Sequence, residues 1–178
     1  MGIRHIAKIV KRNIIMLKKG QIKYPNFINE CSVYIGKLRH LYNYDLNEST
    51  DKYNRFGKSD APDILGLKGE LIFSYFLATN NVEHTNAKLL SNSPIKEPDI
   101  IVGNKKIDVK TINTDAPHLL VNEEAHRKDK NIDTYVFVRI KNNNIADYWV
   151  YTYEEVDNWN IQFFKYTNAY CKLIKEIE

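Results

Sequence analysis

The chain has 178 residues, 43% of them apolar and 27% charged, and a net charge of +4. That composition belongs to a globular domain with its own core and excludes a disordered polyelectrolyte. No apolar run approaches the roughly 20 residues that span a bilayer, and the N-terminus lacks the apolar segment and cleavage site of a secretory signal, so no membrane role is expected.

In chain order, residues 3–18 space Ile3, Ile6, Val10, Ile14 and Leu17 at helical intervals among Lys and Arg. This is an amphipathic helix, ended by Lys18-Lys19-Gly20. Residues 1–29 carry seven basic residues, Lys8, Lys11 and Arg12 among them, and no acid, leaving 19 basic against 22 acidic residues elsewhere. A basic arm on a mildly acidic body is the footprint of a nucleic-acid binder, and equally of a solvated helix face.

A second helix is predicted over 27–42, with Ile28, Cys31, Ile35, Leu38 and Tyr42 on one side. The polar, turn-rich stretch 47–63 marks a boundary between a basic N-terminal helical extension, 1–60, and a core, 61–178. Cys31 and Cys171 lack metal-ligand spacing and read as the reduced thiols of an intracellular, cytoplasmic protein.

A third helix starts at Pro62-Asp63, shows a broad apolar surface from Ile64 to Leu77, and closes at Thr79-Asn80-Asn81. A hairpin follows over 98–111, then a helix from about 118 to 128, an apolar strand at 134–140 and an aromatic strand at 146–153. A short helical turn is expected at Glu154-Glu155-Val156, and the tail "AYCKLIKEI" fits strand and helix equally. The fold class is α/β, with a mixed central sheet flanked by helices.

The hairpin, "EPDIIVGNKKIDVKT" (97–111), alternates for burial except at Asp99, Asp108 and Lys110. Asp108 and Lys110 share one strand face and Ile107 and Val109 the other. A turn at Gly103-Asn104 sets Asp99 opposite Asp108; a turn at Asn104-Lys105 sets Asp99 opposite Lys110. Both registers put two acids and a lysine on one face. Opposed carboxylates destabilise a sheet by roughly 0.2–1 kcal/mol unless a cation lies between them. Two carboxylates, a backbone carbonyl and waters suit Mg²⁺, with Lys110 placed to orient a water or offset phosphate charge.

On the third helix, "GLKGEL" sets Glu70 among Leu67, Leu71, Phe73 and Ile64, and a glutamate half-immersed in an apolar face needs a cation or a hydrogen-bonding partner. Gly66 and Gly69 each weaken the helix by roughly 1 kcal/mol relative to Ala, which implies close packing against the sheet.

Gly-Glu on a helix, then Pro98-Asp99, then Asp108-Val109-Lys110 resembles the PD-(D/E)XK nuclease superfamily from about 63 to 153. The resemblance implies a restriction-endonuclease-like fold and a Mg²⁺-dependent endonuclease acting on DNA, with Mn²⁺ able to substitute. It implies metal binding by Asp99, Asp108 and the Val109 carbonyl, Glu70 as the helix-borne acid and Lys110 as the catalytic lysine. A homodimer is an open alternative, as are an RNA nuclease and a non-catalytic nucleic-acid-binding module.

Asn113, Asn122, His126 and Lys128 follow the Asp-Val-Lys strand and are candidates for phosphate contacts, His126 also reading as an ordinary surface histidine. "QFFKY" (162–166) imitates a Gln-x-x-x-Tyr motif but lies too far from Lys110 and reads as packing. His5, His40, His84 and His118 show no ligand spacing.

Overall fold

A computed structural model describes residues 18–47, 59–87, 97–128, 131–142, 144–164 and 167–178. In chain order the elements are β1 (Lys19–Lys23), α1 (Phe27–Asn47), α2 (Ala61–Thr79), β2 (Ile100–Val102), β3 (Lys105–Ile112), β4 (His118–Asn122), α3 (Glu123–Lys128), β5 (Thr134–Ile140), β6 (Ile145–Thr152), α4 (Tyr153–Asp157), β7 (Asn160–Phe164) and β8 (Thr167–Leu173). The class is mixed α/β, as expected. None of the described helices is long and apolar enough to cross a membrane.

A five-stranded sheet in the order β1-β6-β5-β3-β2 forms the centre, antiparallel throughout except for the parallel pair β3–β5. Its middle strand, β5, is the mainly apolar run TYVFVRI, in which every residue but Ile140 is buried, Thr134 and Arg139 included. A strand covered on both faces has no use for polar alternation, which is why it reads as continuous apolar sequence. The two faces then divide by parity. Val136, Val138, Tyr148 and Val150 join Ile107, Val109 and the α2 residues Ile72, Phe73 and Leu77 in one core. Tyr135, Phe137 and Trp149 join Leu119, Val121, Val156, Tyr170 and Ile174 in the other.

The second core lies under a three-stranded antiparallel sheet, β4-β8-β7, that the sequence did not announce. The helix expected over 118–128 is instead strand β4 followed by the six-residue α3. HLLVN alternates, and Leu119 and Val121 pack inward, so period two decides where too few residues exist for a helical stripe. The undecided tail resolves as β8 and a terminal 3₁₀ turn.

Three more expectations are corrected. Lys18-Lys19-Gly20 does not simply end a helix: β1 starts there and pairs with β6, and Ile22, Tyr24 and Ile28 belong to the first core. Residues 19–47 are thus built into the same body as the α2–β3 unit. On α1, the side expected to pack does so only in part. Ile28 and Ser32 are buried and Gly36 meets Ile64 of α2, whereas Leu38 is 45% exposed. "QFFKY" reads as packing, but its described part lies on β7, where Ile161 just before it is 42% and Phe163 72% exposed.

The predicted boundaries of α2 hold: Pro62 lies in its first turn and the chain leaves it through Asn81 at φ 56°. The turn at 154–156 is also found, as α4, started by a reciprocal cap between Thr152 and Glu155.

His126 is neither a phosphate contact nor a surface residue. Its side chain is fully buried, stacked on Tyr153 at 3.9 Å and set edge-on to Tyr170 at 4.8 Å. Nδ1 lies 2.9 Å from the Tyr135 hydroxyl, and Nε2 lies 3.5 Å from Asp157. Burial, and to a lesser degree Arg127, hold the imidazole pKa below its ordinary value although Asp157 opposes this. The folded chain therefore keeps His126 neutral while the unfolded chain protonates it below a pH of about 6.5. Stability should fall as pH drops below that point, by up to on the order of 1 kcal/mol per pH unit. Thermal melts at pH 7 and pH 5 check this: the wild-type loss of Tm should exceed that of His126→Phe.

Candidate functional site

The hairpin closes in the first of the two registers, with Ile100 opposite Ile107, Ile101 opposite Lys106 and Val102 opposite Lys105. Gly103 sits in the turn at φ 61°, a conformation glycine adopts without steric cost. β2 stops at Ile100, and the Asp99 side chain continues its role: Asp99 Oδ2 accepts a hydrogen bond of 2.7 Å from the Val109 N–H. The carboxylate is thereby pinned at the edge of β3 where a ladder partner would otherwise sit.

Alternation places Ile107, Val109 and Thr111 toward α2 and Asp108 and Lys110 toward the other face. Asp108 is buried, and both its oxygens take hydrogen bonds from Lys110 Nζ, at 2.7 and 2.8 Å. The Lys110 side chain keeps 32% of its surface in solvent, so the amine ends at the rim of the site.

Glu70 comes from the α2 side. Its helix approaches β3 at Gly69, where a Cβ would lie 1.9 Å from Thr111 Oγ1, so any side chain there would push the two elements apart. The close packing expected of two glycines therefore holds for Gly69 alone. At Gly66 a Cβ would meet nothing within 4 Å, and that residue's carbonyl instead accepts from the Thr111 hydroxyl at 3.2 Å.

The partner that a half-immersed glutamate needs is Arg39 of α1. Its guanidinium donates bidentate hydrogen bonds of 2.7 and 2.8 Å to the two Glu70 oxygens, with only 16% and 8% of the two side chains exposed. Next along the chain, His40 Nδ1 lies 3.0 Å from Asp63 of α2. Burial opposes the Arg39 charge, yet Glu70, Asp99 and Asp63 together hold its pKa above the ordinary value.

Asp99 shows how crowded the negative charge is. Its pKa is pushed up to about 8, by burial first and then by Asp108 and Glu70, against the opposing pull of the Val109 N–H and Lys110. Glu70, Asp108 and Lys110 thus all act on Asp99 at the edge of β3, and Val109 joins them through its backbone. Chemically this is an all-oxygen donor set, which suits a hard divalent cation. The Glu70 and Asp108 oxygens are engaged by protein cations and Asp99 Oδ2 by the Val109 N–H, and among the described residues no three His, Cys, Asp or Glu side chains form a ready ligand sphere.

The remaining candidates do not gather here. Asn122 begins α3, accepting from the Ala125 N–H at 2.8 Å and donating to Thr167 at 2.7 Å, so it is a structural cap rather than a phosphate ligand. Lys128 is exposed and pairs with Glu124. Asn113 is exposed just past β3, in a groove shared with Lys68, Thr114 and Ile140. Lys8, Lys11 and Arg12 lie outside the described residues. Arg39 and the His40–Asp63 pair went unnoticed in the sequence, because nothing in a helix 31 positions upstream marks it as the neighbour of Glu70.

The contrast between the two glycines is testable. Gly69→Ala should cost about 1–3 kcal/mol through forced separation of α2 and β3, whereas Gly66→Ala should stabilise by up to about 1 kcal/mol. Urea unfolding of both variants checks this; equal effects would contradict the close approach. In comparisons with known proteins, no family model matches the chain and no curated protein matches it significantly.

Proposed function

We propose that the chain is a Mg²⁺-dependent endonuclease hydrolysing DNA phosphodiester bonds, on a restriction-endonuclease-like scaffold of the PD-(D/E)XK kind. One observation carries the reading: burial first, and then Asp108 of the β2–β3 hairpin and Glu70 of α2, push the Asp99 pKa up to about 8, with Lys110 hydrogen-bonded to Asp108 beside them. A fold has no stability reason to bury Glu70 and Asp108 beside a half-buried Asp99 that both of them repel, and strongly perturbed groups of this kind cluster at functional sites.

Glu70, Asp99 and Asp108 would hold the divalent ion, with the Val109 carbonyl as a fourth oxygen. When bound, Mg²⁺ supplies charge that acidifies water and offsets the negative charge growing on the phosphate. Lys110, released from Asp108, has its amine at the solvent rim, where it can orient an attacking water or donate to a phosphate oxygen. Arg39, released from Glu70, offers a planar fork that matches phosphate bidentately. The basic residues Lys8, Lys11 and Arg12 would add backbone contacts that give affinity without reading sequence.

Incubating the purified protein with plasmid, linear DNA, branched DNA and RNA, with and without Mg²⁺ or Mn²⁺, tests the proposal. Metal-dependent DNA cleavage is expected, and Lys110→Ala and Asp108→Asn should each lower it at least about 10²-fold. Cleavage of RNA alone would move the substrate class. Binding without cutting would leave a non-catalytic module, in which Arg39 and Lys110 are permanent counter-ions. The triple variant Lys8→Ala, Lys11→Ala and Arg12→Ala should flatten the log–log salt dependence of DNA binding by about 0.9 for each phosphate that these side chains neutralise; an unchanged slope would remove them from the interface.

A further inference from the structure

Helix α1 uses one side for folding and leaves an apolar side exposed. Its inner side, through Ile28, Ser32, Gly36 and Arg39, meets the core and α2. Its outer side carries Phe27, Cys31, Tyr34, Leu38 and Leu41, which follow one another at alternating spacings of four and three. Phe27 is 56%, Tyr34 71%, Leu38 45% and Leu41 60% exposed, and Cys31 is a half-buried free thiol. Alternation of four and three is the a/d seam of a two-helix pack, and a contiguous exposed apolar stripe marks an interaction surface.

The charges beside the seam identify the occupant. With Cys31 and Leu38 at a and Phe27, Tyr34 and Leu41 at d, both g positions are charged and exposed: Glu30 and Lys37. Among the described residues Lys37 has no acidic partner, and Glu30 is held only by the Asn26 amide at 2.9 Å. In a parallel pair each g residue would face an e residue, here Ile35 or Tyr42, and neither charge would be met. In an antiparallel pair g faces g. Glu30 then meets Lys37 of the partner subunit, and the twofold repeats the contact. The same register stacks Phe27 on Leu38 of the partner subunit and Cys31 on Tyr34 of the partner subunit. Leu41 lies beyond the overlap of the two helices; the remaining apolar layers and the flanking charges agree on a single alignment, which is the self-complementarity an isologous interface requires.

We infer that the outer stripe of α1 is a homodimer interface in which two copies of this helix pack antiparallel. The stripe is short, and interfaces below about 1,200 Å² are weak and transient, so association is expected to depend on concentration. The inference does not rest on the nuclease reading, because none of these residues belongs to the carboxylate site.

Sedimentation equilibrium of the full chain at micromolar concentrations should show species of 20.9 kDa exchanging with species of twice that mass. Lys37→Glu should weaken the dimer about tenfold, the scale of losing two exposed ion pairs and gaining two repulsions. Adding Glu30→Lys to the same chain should restore it, since the reversed charges again oppose. Independently, Tyr34→Cys should give a disulfide-linked dimer through Cys31 on mild oxidation, one that Cys31→Ser abolishes. A chain that stays monomeric, as when another part of the molecule or a different protein covers the stripe, overturns the inference. So does a dimer indifferent to both charge reversals.

Discussion

The contact on which the rest of the molecule turns is the approach of α2 to β3 at Gly69. Thr111 fills the space that a side chain would need, and its hydroxyl reaches back to the Gly66 carbonyl. With helix and strand held at that separation, the next residue of the helix, Glu70, is delivered to the edge of the sheet that the Asp99 side chain caps. Packing and chemistry share one feature here, because the same glycine that admits the strand also positions the acid.

Charge compensation is the second organising constraint. Three carboxylates gather where dielectric screening is poor, and the structure tolerates them only because Arg39 and Lys110 contribute directed hydrogen bonds as well as charge. Arg39 comes from α1, a helix that the polar stretch 47–63 sets apart in the sequence. The described residues up to 47 are nevertheless no detachable arm: β1 completes one edge of the sheet and α1 supplies the counter-ion of the site.

What was legible in the sequence was whatever depends on local spacing. The hairpin follows from its turn residues and strict alternation, which left two registers open, the limits of α2 from Pro62 and Asn81, and the turn of α4 from Glu154-Glu155-Val156. Of the candidate site, Glu70, Asp99, Asp108 and Lys110 stood out for the same reason: each is a polar residue in a segment whose periodicity calls for burial. What depends on long-range pairing was hidden. Five-residue β4 resembles the start of a helix until β8, some fifty positions later, comes to lie beside it. His126 looks like any surface histidine because the rings that enclose it, Tyr135, Tyr153 and Tyr170, are scattered along the chain.

The placement of β1 has a consequence for biosynthesis. It is the first described strand to leave the ribosome, yet among the described strands it pairs with β6 alone, and Gln21 must wait 126 positions for Asp147. Throughout that interval its backbone groups have no ladder to join. Any nascent or truncated product that ends before β6 exposes a bare strand edge of the kind that recruits other chains into aggregates.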